Sequence, residues 1–164
     1  MDRAALIRRY REGPEYLESA LLGISDSELD YLPEDGGWSP REVVHHTADS
    51  ELTSAIRLRK LLVEENAEIA GYDETAFARG LHYRERSVGP SLAAVRAARE
   101  TSASILERLD ESDWGRAGTH SESGPYSVTT WLEIYAAHCH DHGDQITRAV
   151  EECRNRQSRA TTAG

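Results

Sequence analysis

Apolar residues recur along this chain every three or four positions, not every second one. Leu6, Tyr10, Leu17 and Leu21 mark a first stripe between Asp2 and about Leu22. Val44, Ala48, Ala55 and Leu62, flanked by Val43, Thr47, Ile56 and Leu61, mark a second from Pro40 to about Glu65. Leu92, Val95, Ala98, Ser102, Ile105 and Leu109 form a third, from Gly89 to about Asp110. A fourth, with Leu132, Tyr135 and Ile146, runs from Ser127 to about Arg154. This is the period of helices that bury one face. No run alternates strictly enough for a buried strand, so the pattern predicts an all-α chain of four long helices.

Capping signals sharpen the boundaries. Ser39 as N-cap, Pro40 as first residue and Glu42 three after the cap give the second helix the clearest start in the chain. Ser25-Asp-Ser-Glu28 has the same form and opens a short helix before the turn-rich Pro33-Glu-Asp-Gly-Gly37. Gly13-Pro14 either kinks the first helix or starts a second segment within it. A further short helix is expected over Glu74 to Gly80, and a loop or small hairpin over Gly115 to Tyr126.

The 164 residues suit one domain, expected over 1–154, with a polar, small-residue tail over 155–164 expected to fray. Cys139 and Cys153 are too few for a disulfide framework and read as reduced thiols. No window approaches a membrane span and the first ten residues lack the apolar centre of a signal peptide, so the expected location is the cytoplasm. With 29 acidic and 19 basic side chains the formal charge is −10, and no basic cluster offsets it. Such a surface repels a phosphate backbone, which argues against nucleic acid as a partner.

Histidine is where the chemistry gathers. His138 and His142 lie four apart in the last helix, so both imidazoles leave the same face within reach of one cation. Leu132, Tyr135 and Ile146 make that face partly buried, and a buried imidazole needs a partner that a metal can supply. His140 is turned by about 200° and reads as a surface residue. A third ligand would come from His45 or His46 on the second helix, and periodicity favours neither. Asp49 could accept from such an imidazole and fix its tautomer, or stay a solvated charge, while Glu42 is already used at the cap. Arg57, about three turns beyond His46 on the same face, could hold an anionic substrate group or serve as an ion-pairing residue. Cys139 is rotated off the histidine face and reads as a small core hydrophobe.

Taken together, Gly36-Gly37-Trp38-Ser39, Arg41-Glu42-Val43-Val44-His45-His46, Ala48-Asp49-Ser50 and the later His138 and His142 resemble the DinB-like superfamily, in particular its YfiT-like branch of metal-dependent hydrolases. The likeness spans most of the chain, including Ile56-Arg57 and the loop at Tyr72-Asp73-Glu74. It implies a four-helix bundle with short extra helices and one long crossover, and one divalent metal ion, zinc or nickel, held by His46, His138 and His142. It also implies a small-molecule substrate and a homodimer. Related members include thiol S-transferases that use bacillithiol or mycothiol, so a low-molecular-weight thiol is an alternative partner. This chain departs from the pattern at Cys139 and Asp141 between the paired ligands and at Gly143-Asp144 after them, where the glycine could loosen the helix.

Three neutral imidazoles leave a divalent ion its full charge and at least one open position. Such an ion lowers the pKa of bound water toward about 7, or holds a thiol as thiolate. Either chemistry makes the chain an enzyme, a hydrolase or a thiol transferase. No general base is named by the sequence. The readings set against these are a non-catalytic metal- or small-molecule-binding protein of stress responses, and a bundle whose histidines meet no metal.

Overall fold

The computed structural model describes residues 2–162. Four long helices make the fold: α1 (Arg3–Ser19), α3 (Pro40–Val63), α5 (Val88–Leu106) and α7 (Val128–Thr162). They pack as a ring in which α1 and α3 each touch both α5 and α7, so α1 and α3 face each other across a diagonal. The chain is an all-α four-helix bundle. Short helices α2 (Asp26–Leu29), α4 (Glu74–Gly80) and α6 (Glu111–Trp114) decorate the connections. None of the described helices is long and apolar enough to cross a membrane.

Starts follow the capping signals. Ser39 accepts from the Glu42 N–H while the Glu42 carboxylate accepts from the Ser39 N–H, and Ser25 and Glu28 repeat the arrangement at α2. Burial completes the first of these, because Glu42 is 5 % exposed and also pairs with Arg84 at 2.9 Å. The last helix continues to Thr162, past the end expected near Arg154.

Helix α1 does not break at Gly13-Pro14. Pro14 lacks the N–H that would bond the Tyr10 carbonyl, and Arg99 Nη1 donates to that carbonyl instead, at 2.6 Å. Gly13 makes the room: a Cβ there would lie 2.2 Å from Arg99 Nη1.

One element has no counterpart in the apolar periodicity. β1 (Ala67–Ile69) runs parallel to β2 (Ala117–His120), which pairs antiparallel with β3 (Gly124–Ser127), in the order β1-β2-β3. Three residues, two inward and one outward, are too few to register as alternation. The sheet ties the segment after α3 to the hairpin before α7.

Apolar burial falls into two clusters. One is aromatic, with Tyr10, Trp114, Tyr126, Trp131 and Tyr135 among Leu58, Leu61 and Leu106. The other is aliphatic, with Leu17, Val43, Val44, Val95, Ile146 and Val150. Buried Glu51 and Arg99 lie between the two along α3 and α5.

Candidate metal centre

Helices α3 and α7 are neighbours, and their facing sides bring His46, His138 and His142 together. One ligand-capable nitrogen or more from each lies within 4.8 Å of the others. The Nε2 atoms of His138 and His142 are 3.2 Å apart. Two nitrogens bound at 2.0–2.1 Å to one tetrahedral ion would be about 3.3 Å apart.

Partners on the far side of each ring say where the protons are. His138 Nδ1 lies 3.2 Å from Glu51 Oε1, and His142 Nδ1 lies 2.9 Å from Gln145 Oε1. Both oxygens accept, so both Nδ1 atoms carry the proton and both Nε2 atoms present bare lone pairs to each other. Two lone pairs at that separation repel unless a cation stands between them. His46 Nδ1 is buried with no hydrogen-bond partner, and the nearest carboxylate, Glu74, is 3.9 Å away. The donor set and its orphaned nitrogen fit a divalent ion.

Burial also fixes the charge state. It pulls the His46 imidazole down to about 3, with His142 and His138 adding to the effect, and pulls His142 down to about 4, with His138 adding to it. Near neutral pH both are neutral, the form that binds metal. Trp38 packs on His46 with ring centres 4.8 Å apart, and Tyr135 on His138 at 5.5 Å, so aromatic rings wall the triad.

Behind His138 stands a pair of buried charges. Glu51 is 0 % exposed, and Arg99 Nη2 reaches its Oε1 at 2.7 Å. Arg99 also donates to the carbonyls of Tyr10 and Tyr135 at 2.6 and 2.7 Å and lies over the Tyr10 ring. Burial pushes the Glu51 carboxyl up, but Arg99 and His138 outweigh it and hold Glu51 below the usual carboxylate range. The carboxylate is therefore a fixed acceptor for the His138 Nδ1–H, and its own charge is met by a guanidinium that touches all three of the other long helices.

His45 is turned away from the triad: Nδ1 meets Ser91 Oγ at 2.7 Å and Nε2 meets the Arg86 carbonyl at 3.2 Å, which pins α3 to the start of α5. Asp49 accepts from the Tyr83 hydroxyl and bonds no imidazole, so the carboxylate expected there is Glu51 instead. Arg57 Nη1 donates to the Tyr135 hydroxyl at 3.3 Å and Nη2 to the Ala70 carbonyl at 2.7 Å. Cys139 is fully buried, burial pushes its thiol up, and it belongs to the aliphatic core. His140, expected at the surface, is 9 % exposed and packs on Tyr16 of α1. Gly143 serves the same contact, because a Cβ there would lie 2.8 Å from the Tyr16 ring.

Sequence reasoning passed over Glu51, Arg99, Gln145 and Glu74. For the first two a signal existed. Glu51 falls three after Ala48 and four before Ala55, and Arg99 four after Val95 and three before Ser102, so each interrupts an apolar stripe with a charge of opposite sign to the other.

Comparison with known proteins gives the family of the chain. A family model described as the DinB superfamily matches residues 9–146. A protein of Oceanobacillus iheyensis named "Putative metal-dependent hydrolase" is 33% identical over 141 residues, covering 86% of this chain and 81% of its own length. The structure of YfiT from Bacillus subtilis, described as "a probable metal-dependent hydrolase with an unusual four-helix bundle topology", superposes with a TM-score of 0.87 at 29% identity, covering 93% of this chain and 90% of that one. The mycothiol-dependent maleylpyruvate isomerase shares the fold more distantly, with a TM-score of 0.63 at 14% identity over 89% of this chain and 61% of that one.

Proposed function

The chain belongs to the DinB superfamily, among its YfiT-like members, and from that premise we propose that it is a metal-dependent hydrolase of a small-molecule substrate. His46, His138 and His142 would hold one divalent ion, zinc or nickel. The observation that carries the reading is the facing pair of Nε2 atoms, each bared by a proton acceptor on its own Nδ1, with His46 beside them. When bound, an ion with an open position makes water, or a thiol, nucleophilic near neutral pH.

The chain's own residues supply the rest. Glu51 keeps the His138 proton on Nδ1, and Gln145 does the same for His142. Glu74, half exposed with Oε2 3.9 Å from His46 Nδ1, would be the carboxylate that accepts a proton beside the triad and exchanges it with solvent. Trp38 packs on His46 and Tyr135 on His138, so aromatic surface lines the imidazoles on those sides.

Protein purified without a nickel-affinity tag is assayed for metal content, for hydrolysis of esters and amides, and for joining thiols to electrophiles. The expected result is one ion per chain, with hydrolysis lost on chelation and restored by metal. Metal-dependent thiol addition without hydrolysis would instead make the chain a thiol transferase. Bound metal with neither activity would make it a metal-binding protein, and no bound metal would remove the reading.

A further inference from the structure

Tyr135 leads from the triad to a second polar group. Its ring packs on His138, and its hydroxyl receives Arg57 Nη1. Ser50, one turn after His46 and 6 % exposed, adjoins the hydroxyls of both Tyr135 and Tyr72. Arg57 Nη2 meets the Ala70 carbonyl at 2.7 Å, two residues before Tyr72.

Arg57 is half-buried and makes no ion pair with any described carboxylate. That is the opposite of Arg99, whose charge is met in full. A guanidinium has five N–H groups, and the bonds to Tyr135 and Ala70 use two. Nε is buried with no partner, and so is the Tyr72 hydroxyl, which has Ser50 beside it but closes no hydrogen bond. Buried donors left unmade cost stability, and here they gather around one uncompensated positive charge in a chain of net charge −10. Nε–H and a neighbouring Nη–H form the planar fork that a carboxylate accepts with two parallel bonds, and the Tyr72 hydroxyl can donate a third.

The spacing connects this group to the triad. Arg57 and His46 are eleven residues apart on α3, about 16 Å along its axis, and Tyr135 spans the interval, its ring 5.5 Å from His138 and its hydroxyl 3.3 Å from Arg57 Nη1.

We infer that the substrate bears a carboxylate, received by Arg57 with Tyr72 and Ser50 while its reacting bond lies at the three imidazoles. The inference rests on the metal-centre reading above and adds the substrate class to it. Pinning the Ala70 carbonyl, Arg57's structural task, needs one N–H and no neighbouring hydroxyls.

The test uses full-length, metal-loaded protein and alkyl hydroxamates, whose head groups chelate metal, with tails of about two to six methylenes ending in either a carboxylate or a neutral carboxamide. Affinities are read by calorimetry. At the best length the carboxylate tail is expected to bind about tenfold tighter than the carboxamide. That preference should vanish in Arg57→Met and shrink in Tyr72→Phe. Arg57→Gln keeps a donor for Ala70 without the charge, and should also lose the preference if Arg57→Met fails to fold. Equal binding of both tails at every length, or a preference that survives in Arg57→Gln, overturns the carboxylate subsite and leaves the metal centre standing. Failure of every hydroxamate to bind overturns the metal centre and this inference with it.

Discussion

The two apolar clusters of the bundle differ in what they can do at their edges. The aromatic one offers polar rims: Trp131 Nε1 donates to the Ser54 carbonyl, and the face of the Tyr10 ring carries the Arg99 guanidinium. The aliphatic one, built from Val43, Val44, Val95, Ile146 and Val150, offers a charge only the weakly donating Cys139 thiol, 3.8 Å from Glu51 Oε1. Glu51 and Arg99 sit at the seam, and His138 reaches them there. A seam gives an imidazole dry walls, which keep it neutral, together with a fixed acceptor, which orients it. Neither cluster alone provides both.

Removing Arg99 should break the seam most severely. Arg99→Met leaves Glu51 buried without its counter-charge, and a loss of about 3–5 kcal/mol is expected in urea unfolding. Leu58→Ala, wholly inside the aromatic cluster, should cost about 2–5 kcal/mol by the same measurement while metal stoichiometry stays unchanged. If metal binding falls with Leu58→Ala, the clusters are not separable from the site.

A sharper comparison replaces both charges. Arg99→Met with Glu51→Leu should recover most of the stability lost in the single variant, because the desolvation of two ions is removed along with their attraction. Metal affinity should remain about 10–100-fold weaker than in the unaltered chain, since nothing then holds the His138 proton on Nδ1. Competition with a chromophoric chelator reads that difference directly. Equal affinity would reduce the ion pair to a packing feature.

The smallest effect expected is with pH in metal-free protein. His46 and His142 stay neutral in the fold down to about 3 and 4, whereas both take up protons near 6.5 when unfolded. Below 6.5 the unfolded chain binds protons that the fold refuses, so stability falls as pH falls. Between about pH 7.5 and 6 the loss should be about 0.8 kcal/mol per imidazole, read as a lower urea midpoint. A flat midpoint would mean that the two rings are more hydrated than their burial indicates.

Much of this was legible in the chain itself. Helical periodicity located the long helices of the bundle, and the Ser39 and Ser25 caps located the starts of α3 and of the short α2, because those signals are local. His138 and His142 were legible because one helix sets their spacing. The choice between His45 and His46 was not, since neighbours on a helix differ by about 100° and only the packing of α5 against α3 turns His45 toward Ser91. Resemblance to the family pointed to His46, and the fold brings that residue to the pair. β1 was invisible because its pairing partner is about fifty residues away and its three residues carry no period. Gly13-Pro14 read as a kink or a second start because the group that takes up the freed carbonyl, Arg99, lies on another helix.

That repair links distant positions into one inherited unit. Any side chain at position 13 would evict the guanidinium, a residue with a helical N–H at position 14 would compete for the carbonyl it uses, and without it residue 51 would be a stranded anion. Related chains should therefore keep or exchange the residues equivalent to 13, 14, 51 and 99 as a set, so their joint variation would mark which lineages retain this support behind the histidine and which have rebuilt it.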